Sequence, residues 1–103
     1  MNMICYAPTA LSEWYSTQNI DAFERFELQL PRSNNERNKA GFGVKFGRYL
    51  GSFTVWGQGT TEWIVVDGVT GETIISEDTK FVDVAQLYLL LDRALEQLKA
   101  LAK

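Results

Sequence analysis

The side chains that could carry out chemistry in this chain are almost all carboxylates, because its 103 residues include no histidine and only one cysteine. Two carboxylates at a defined separation can act as acid and base, as in glycoside hydrolysis. Nothing in the sequence places two of them together, and a solvated surface position is usual for each. We therefore expect a protein without enzymatic activity. The acids considered are Glu13, Glu24, Glu27, Glu72, Glu77 and Asp78.

The other common catalytic and metal sites need residues that the chain lacks. Without histidine, Ser-His-Asp and Cys-His catalysis cannot be built in their usual forms, and one cysteine cannot make a zinc site. Cys5 has no base to activate it, so we expect a structural thiol. The segment GFGVKFG from Gly41 to Gly47 has neither the spacing of a dinucleotide-binding loop nor the ending of a Walker loop. We expect no cofactor and no metal.

The charge of the chain bears on its partners and its location. A formal net charge of -3 argues against nucleic acid, which requires clustered Lys and Arg, and favours a basic partner protein. The lone cysteine excludes an internal disulfide and suits a reducing compartment. The longest apolar cluster, Val84 to Leu91, is far below the roughly 20 residues that a membrane helix needs. We expect a single cytoplasmic domain, residues 1–103, that does not enter a membrane.

The elements that must position any site are predicted as a sheet and two helices. Residues Pro8 to Gln18 have a helical pattern, with Thr9 as N-cap and Trp14 anchoring the helix to a sheet. Alternating apolar residues predict strands that include Phe26–Leu30, Phe42–Phe46 and Thr73–Ser76. The polar segment Arg32–Lys39 is predicted to be an exposed loop.

The C-terminal helix carries the clearest pattern in the chain. Asp83 is the predicted N-cap, with Gln86 three residues later as in a capping box. Its apolar stripe is too wide to face water, so it should cover one face of the sheet. Dimerisation through heptads is the weaker interpretation, because the run lasts only about three heptads. The stripe consists of Val84, Leu87, Leu90, Leu91, Ala94, Leu95, Leu98 and Leu101.

The segment Tyr49–Glu72 predicts a β-hairpin followed by a second turn, which completes an antiparallel meander of about five strands in an α+β fold. With Gln58 and Gly59 as the two turn residues, Trp56 should lie opposite Thr61. This register sorts the hairpin into two faces. The predicted core face holds Phe53, Val55, Ile64 and Val66, and the other face holds Thr54, Trp56, Thr61, Trp63 and Val65.

The face with two tryptophans is the candidate binding surface, because large aromatic residues are favoured at the centres of protein interfaces. The alternative is that the N-terminal helix packs there and buries both tryptophans in a second small core. The candidate partner-binding residues are Thr54, Trp56, Thr61, Glu62, Trp63, Val65 and Asp67.

The run GSFTVWGQGTTEWIVVDGVTGETI, followed by an amphipathic C-terminal helix, resembles the TriTu family of small bacterial immunity proteins. The resemblance implies a cytoplasmic protein that binds a cognate toxin domain tightly and blocks its active site. Two other hypotheses remain: a small adaptor that dimerises, and a small-ligand binder that uses Trp56 and Trp63 for stacking. We expect a monomer or a weak homodimer. The matching residues are Gly51, Phe53, Val55, Trp56, Gly59, Glu62, Asp67, Thr70, Gly71 and Glu72.

Overall fold

Five antiparallel strands form one sheet whose order in space follows the chain, β1-β2-β3-β4-β5. The computed structural model describes residues 5–31 and 38–102. Together with two helices, the sheet confirms the predicted α+β meander. The strands are β1 Arg25–Gln29, β2 Lys39–Phe46, β3 Tyr49–Trp56, β4 Thr60–Asp67 and β5 Thr73–Lys80.

The two α-helices are α1, Ala7–Tyr15, and α2, Val84–Leu101, and a short 3₁₀ helix, Ile20–Ala22, precedes β1. Asp83 is the N-cap of α2, as predicted, and its carboxylate accepts the backbone N–H of Gln86 at 2.8 Å. The predicted N-cap of α1 is wrong. The cap position is Tyr6, whose side chain makes no capping hydrogen bond, and Pro8 stands in the first turn.

Both helices pack on the same face of the sheet, so the expectation that α1 could cover the second face is wrong. The indole of Trp14 on α1 stacks on Phe42 of β2, with ring centroids 5.4 Å apart. Its Nε1 donates to Asp92 of α2 at 2.9 Å, which ties the two helices together. The buried stripe of α2 completes this core with Leu87, Leu91, Ala94, Leu95 and Leu98.

A row of aromatic rings crosses the centre of the core. Phe42, Phe53 and Trp63 lie directly opposite one another on β2, β3 and β4. Their ring centroids are 5.5 Å apart from Phe42 to Phe53 and 5.8 Å apart from Phe53 to Trp63. Gly51 makes room for the large ring, since a Cβ there would lie 2.5 Å from Cη2 of Trp63.

The predicted hairpin register is wrong by one residue. The loop between β3 and β4 has three residues, Gly57 to Gly59, and Gly59 adopts a φ of 112°. Trp56 therefore lies opposite Thr60 instead of Thr61. Because side chains alternate along a strand, the shift moves every side chain of β4 to the opposite face.

The predicted exposed loop Arg32–Lys39 lies mostly outside the described residues, but its last two positions differ from the prediction. Lys39 begins β2, and Asn38 is buried with 6% exposure. The Asn38 amide accepts the N–H of Ala7 and donates to the carbonyl of Cys5 at 2.6 Å. Asn38 thus supplies the cap that α1 lacks locally.

Candidate partner-binding face of the sheet

The face of the sheet opposite the helices is the candidate functional surface, and we call it the open face. No described helix lies on it, because α1 and α2 both contribute to the core on the other side. Three strands place alternating side chains there by their register with one another. These are Leu50, Ser52, Thr54 and Trp56 from β3, Thr60, Glu62, Ile64 and Val66 from β4, and Ser76, Asp78 and Lys80 from β5.

Trp56 is the largest side chain on the open face and lies at the hairpin end. It is half-buried. On its β2 side, the Nζ of Lys39 lies 5.7 Å from the ring centroid, within the range of a cation–π interaction. On its β4 side lies a groove of about 600 Å³, which we call the Trp56 groove. Its lining consists of Trp56, Gln58, Thr60, Thr61, Glu62, Asp78, Thr79 and Lys80.

A smaller depression lies over β1 and β2 and reaches Thr54 of β3. Its volume is about 250 Å³, and Lys39 and Thr54 lie in its wall. The rest of the lining comes from the end of β1 and the start of β2, namely Gln29, Leu30, Pro31, Ala40 and Gly41. β3 therefore contributes to two concave regions, with Thr54 in the smaller and Trp56 in the larger.

The opposite end of the open face is apolar. Leu50 and Val66 are cross-strand partners, and Leu50 keeps 41% of its surface exposed. Ile64 is half-buried beside them. Ile64 and Val66 were predicted to be core residues, and this is wrong because the three-residue loop turns them outward.

Glu62 and Asp78 are the carboxylates that the fold brings together on the open face. They are cross-strand partners on β4 and β5, and both line the Trp56 groove. This pairing could not be predicted from the sequence, because it depends on the register of β4 and β5. Across the described ranges, no group of three or more His, Cys, Asp or Glu side chains could hold a metal ion.

Three predicted site residues lie in the core instead of on the surface. Trp63 and Val65 keep 3% and 0% of their surface exposed, and Thr61 keeps 4%. The Nε1 of Trp63 donates to Gln97 of α2 at 3.1 Å, which satisfies its polar atom inside the core. The Thr61 hydroxyl donates to the carbonyl of Thr79 at 3.3 Å. Of the predicted aromatic anchors, only Trp56 reaches the open face.

Asp67 organises the turn at the end of β4 and is buried with 6% exposure. Its Oδ2 lies 2.7 Å from the Arg48 guanidinium, and its Oδ1 accepts the backbone N–H groups of Val69 and Thr70. The hydrogen bond from Arg48 is the largest influence that lowers the pKa of Asp67, with help from the two N–H groups. Asp67 therefore holds a turn and is poorly placed to contact a partner.

Cys5 has the structural environment that was expected. It is buried at 9% exposure beside α1, and burial raises the pKa of its thiol. A thiol with a raised pKa is a poor nucleophile at neutral pH. Its backbone N–H donates to the carbonyl of Gly57, which joins the N-terminal segment to the hairpin loop.

Comparison with models of protein families found no match, and comparisons with curated proteins and with solved structures found none either. Within the described ranges, neither helix has the combined length and apolar character needed to cross a bilayer.

Proposed function

We propose that this protein is a non-enzymatic, cytoplasmic immunity protein that binds a cognate bacterial toxin domain through the open face and blocks its activity. The observation that carries the proposal is that both helices cover one face of the sheet, leaving Trp56 on a face without a described cover. Tryptophan is among the residues most enriched at binding hot spots.

The shape and composition of the open face support a protein partner. It combines an aromatic residue, a groove of about 600 Å³ and the apolar end with Leu50 and Val66, with charged residues around them. A standard interface buries about 800 Å² of each partner, which is comparable to one face of a small sheet. The Glu62–Asp78 pair suits a basic surface, in agreement with the formal net charge of -3.

The test begins with the genes that flank this one, among which a protein with a candidate toxin domain is sought. Co-expression should prevent the growth arrest that the domain causes, and the two purified proteins should form a complex. Trp56→Ala should raise the Kd at least about 30-fold, because loss of a hot-spot residue costs about 2 kcal/mol or more. Circular dichroism and thermal unfolding would establish that the variant is folded.

Leu89→Ala is the matched control for this experiment. Leu89 is an apolar residue of α2 with 69% exposure, on the helix side of the molecule. It should leave the Kd unchanged. Binding of wild-type strength by a folded Trp56→Ala protein would contradict the assignment of the open face as the interface.

A second candidate function is binding of a small ligand, and the Trp56 groove is the observation in its favour. Its volume of about 600 Å³ falls within the usual range for ligand sites. A carbohydrate that stacks on Trp56 would change the tryptophan fluorescence of the protein. A saturable change with a sugar in the absence of any protein partner would favour this function over the immunity function.

A dimerising adaptor is favoured by the length of the edge strand β5, which has eight residues at the end of the sheet. Charges on that strand, at Glu77, Asp78 and Lys80, are of the kind that disfavours pairing between edges. We therefore propose a monomer or a weak homodimer. Light scattering over a range of protein concentrations would test this, and a dimer at all concentrations would contradict it.

A further inference from the structure

The stability of the sheet does not explain why Glu62 and Asp78 lie side by side. The two residues lie directly opposite each other on adjacent strands. Like charges in this position destabilise a sheet. Among the described residues, the ion pairs of Lys and Arg involve other acids, and neither Glu62 nor Asp78 takes part. A positive charge from outside would relieve this repulsion.

The indole of Trp56 is a second feature that points to a cation. Lys39 already places its ammonium 5.7 Å from the ring centroid. Lys39 is the cross-strand partner of Trp56 on β2, whereas the groove extends from Trp56 toward β4 and β5. The β4 side of the ring therefore stays available to a second cation, and the two carboxylates line the same groove.

The charges around the groove decide which cation fits. Its lining carries the carboxylates of Glu62 and Asp78 and one ammonium, that of Lys80. Lys39 adds a positive charge beyond the ring. A guanidinium is planar, stacks on an indole and can bond to two carboxylate oxygens at once, whereas an ammonium is a strongly hydrated point charge. The flat indole of Trp56 beside two carboxylates therefore favours arginine over lysine.

We infer that the Trp56 groove receives an arginine side chain of the partner protein, with its guanidinium stacked on Trp56 and paired with Glu62 and Asp78. The inference rests on the proposed function, because it names the chemistry that a toxin domain would present to the same face.

The test is an NMR titration of the full chain with N-acetyl-arginine amide, observed at the tryptophan side-chain N–H signals. The Trp56 signal should shift and saturate with a Kd on the order of 10 mM, since one cation–π contact and two partly solvated ion pairs are weak. Trp14 and Trp63 serve as internal references, because both indoles are buried and hydrogen-bonded to α2. The capped lysine amide should bind at least about threefold more weakly.

Variants test whether Glu62 and Asp78, and not other acids of the chain, bind the arginine probe. The double variant Glu62→Gln and Asp78→Asn should weaken the binding of the arginine probe at least about threefold. Glu77→Gln removes a charge from the same strand, but Glu77 pairs with Arg93 of α2. This control should leave the Kd unchanged. Lys80→Gln should tighten binding, because it removes the competing ammonium.

Two results would overturn the inference: an equal shift of Trp56 with capped norleucine amide, or unchanged binding of arginine by the double variant. Either result leaves the immunity function standing if the toxin domain still binds through Trp56. Saturable arginine binding together with no toxin complex would instead overturn the proposed function and retain the cation site.

Discussion

Replacing Asn38 with alanine is expected to lower the free energy of unfolding by about 2–4 kcal/mol. The side chain is the partner of two buried backbone groups, the N–H of Ala7 and the carbonyl of Cys5. Each such group left without a partner costs about 1–3 kcal/mol. We take the lower part of the summed range, because Cys5 keeps 9% of its surface exposed and water can reach its neighbourhood.

Urea unfolding followed by tryptophan fluorescence measures this change. The expected loss is a large fraction of the roughly 5–15 kcal/mol that stabilises a typical domain, so the midpoint should move far to lower urea. Asn19→Ala is the matched control, since Asn19 is exposed and its side chain makes no capping hydrogen bond. It should change the stability by less than about 0.5 kcal/mol.

A double-mutant cycle tests the reasoning more strictly. A Cβ at Gly57 would overlap the Asn38 amide, so Gly57→Ala alone should be strongly destabilising. In the Asn38→Ala background the same substitution should cost less, because the amide is gone, but the clash of the Cβ with the Cys5 carbonyl remains. A loss below about 1 kcal/mol for Asn38→Ala, or strict additivity in the cycle, would refute the role assigned to this side chain.

Two further predictions concern Gly51 and Asp67. Gly51→Ala should destabilise the protein by about 1–3 kcal/mol in the same assay, because its Cβ would press on the Trp63 ring. Ser52→Ala is the control and should be nearly neutral. Equal effects of the two substitutions would contradict the packing of Trp63 on Gly51. The pKa of Asp67 is lowered from its usual 3.8, so its stabilising effect is present above that value and is lost as the pH falls through the lowered pKa. As the pH falls from about 5 through 3.8 and on through the lowered pKa, Asp67→Asn should therefore lose less stability than the wild type, and an identical loss would contradict the Arg48 interaction.

The sequence pattern predicted the orientation of a helix or strand correctly wherever one face of that element is plainly apolar. The stripe of α2 and the alternation of Phe42 and Val44 each allow only one orientation, and both lie in the core as expected. Trp14 also packs on the sheet as predicted. The α+β class and the meander follow from these elements and from the short links between them.

The register of the hairpin could not be read from the pattern, because β4 is apolar on both faces. Trp63 and Val65 alternate with Ile64 and Val66, so either pair could have formed the core. The choice depends on whether the loop has two or three residues. Two glycines flank Gln58, and the sequence does not show that Gly59 takes the positive φ while Gly57 leaves room for Asn38.

The role of Asn38 could not be predicted from local sequence patterns either. A helix cap is normally sought within a residue or two of the first turn, but this one comes from 31 positions along the chain. The surrounding sequence is polar, and it therefore predicts exposure. Only the antiparallel pairing of β2 with β3, which brings Asn38 beside Gly57, explains its burial.

The corrected register changes the chemistry expected of the binding surface. With both Trp56 and Trp63 outward, two indoles would dominate the open face, with Glu62 and Asp67 as the charges near them. With Trp63 in the core, Trp56 stands on that face beside Glu62 and Asp78. Recognition then depends on charge as well as on apolar area, so partner binding should weaken with added salt. A partner affinity that stays constant as the ionic strength rises would contradict this role of Glu62 and Asp78.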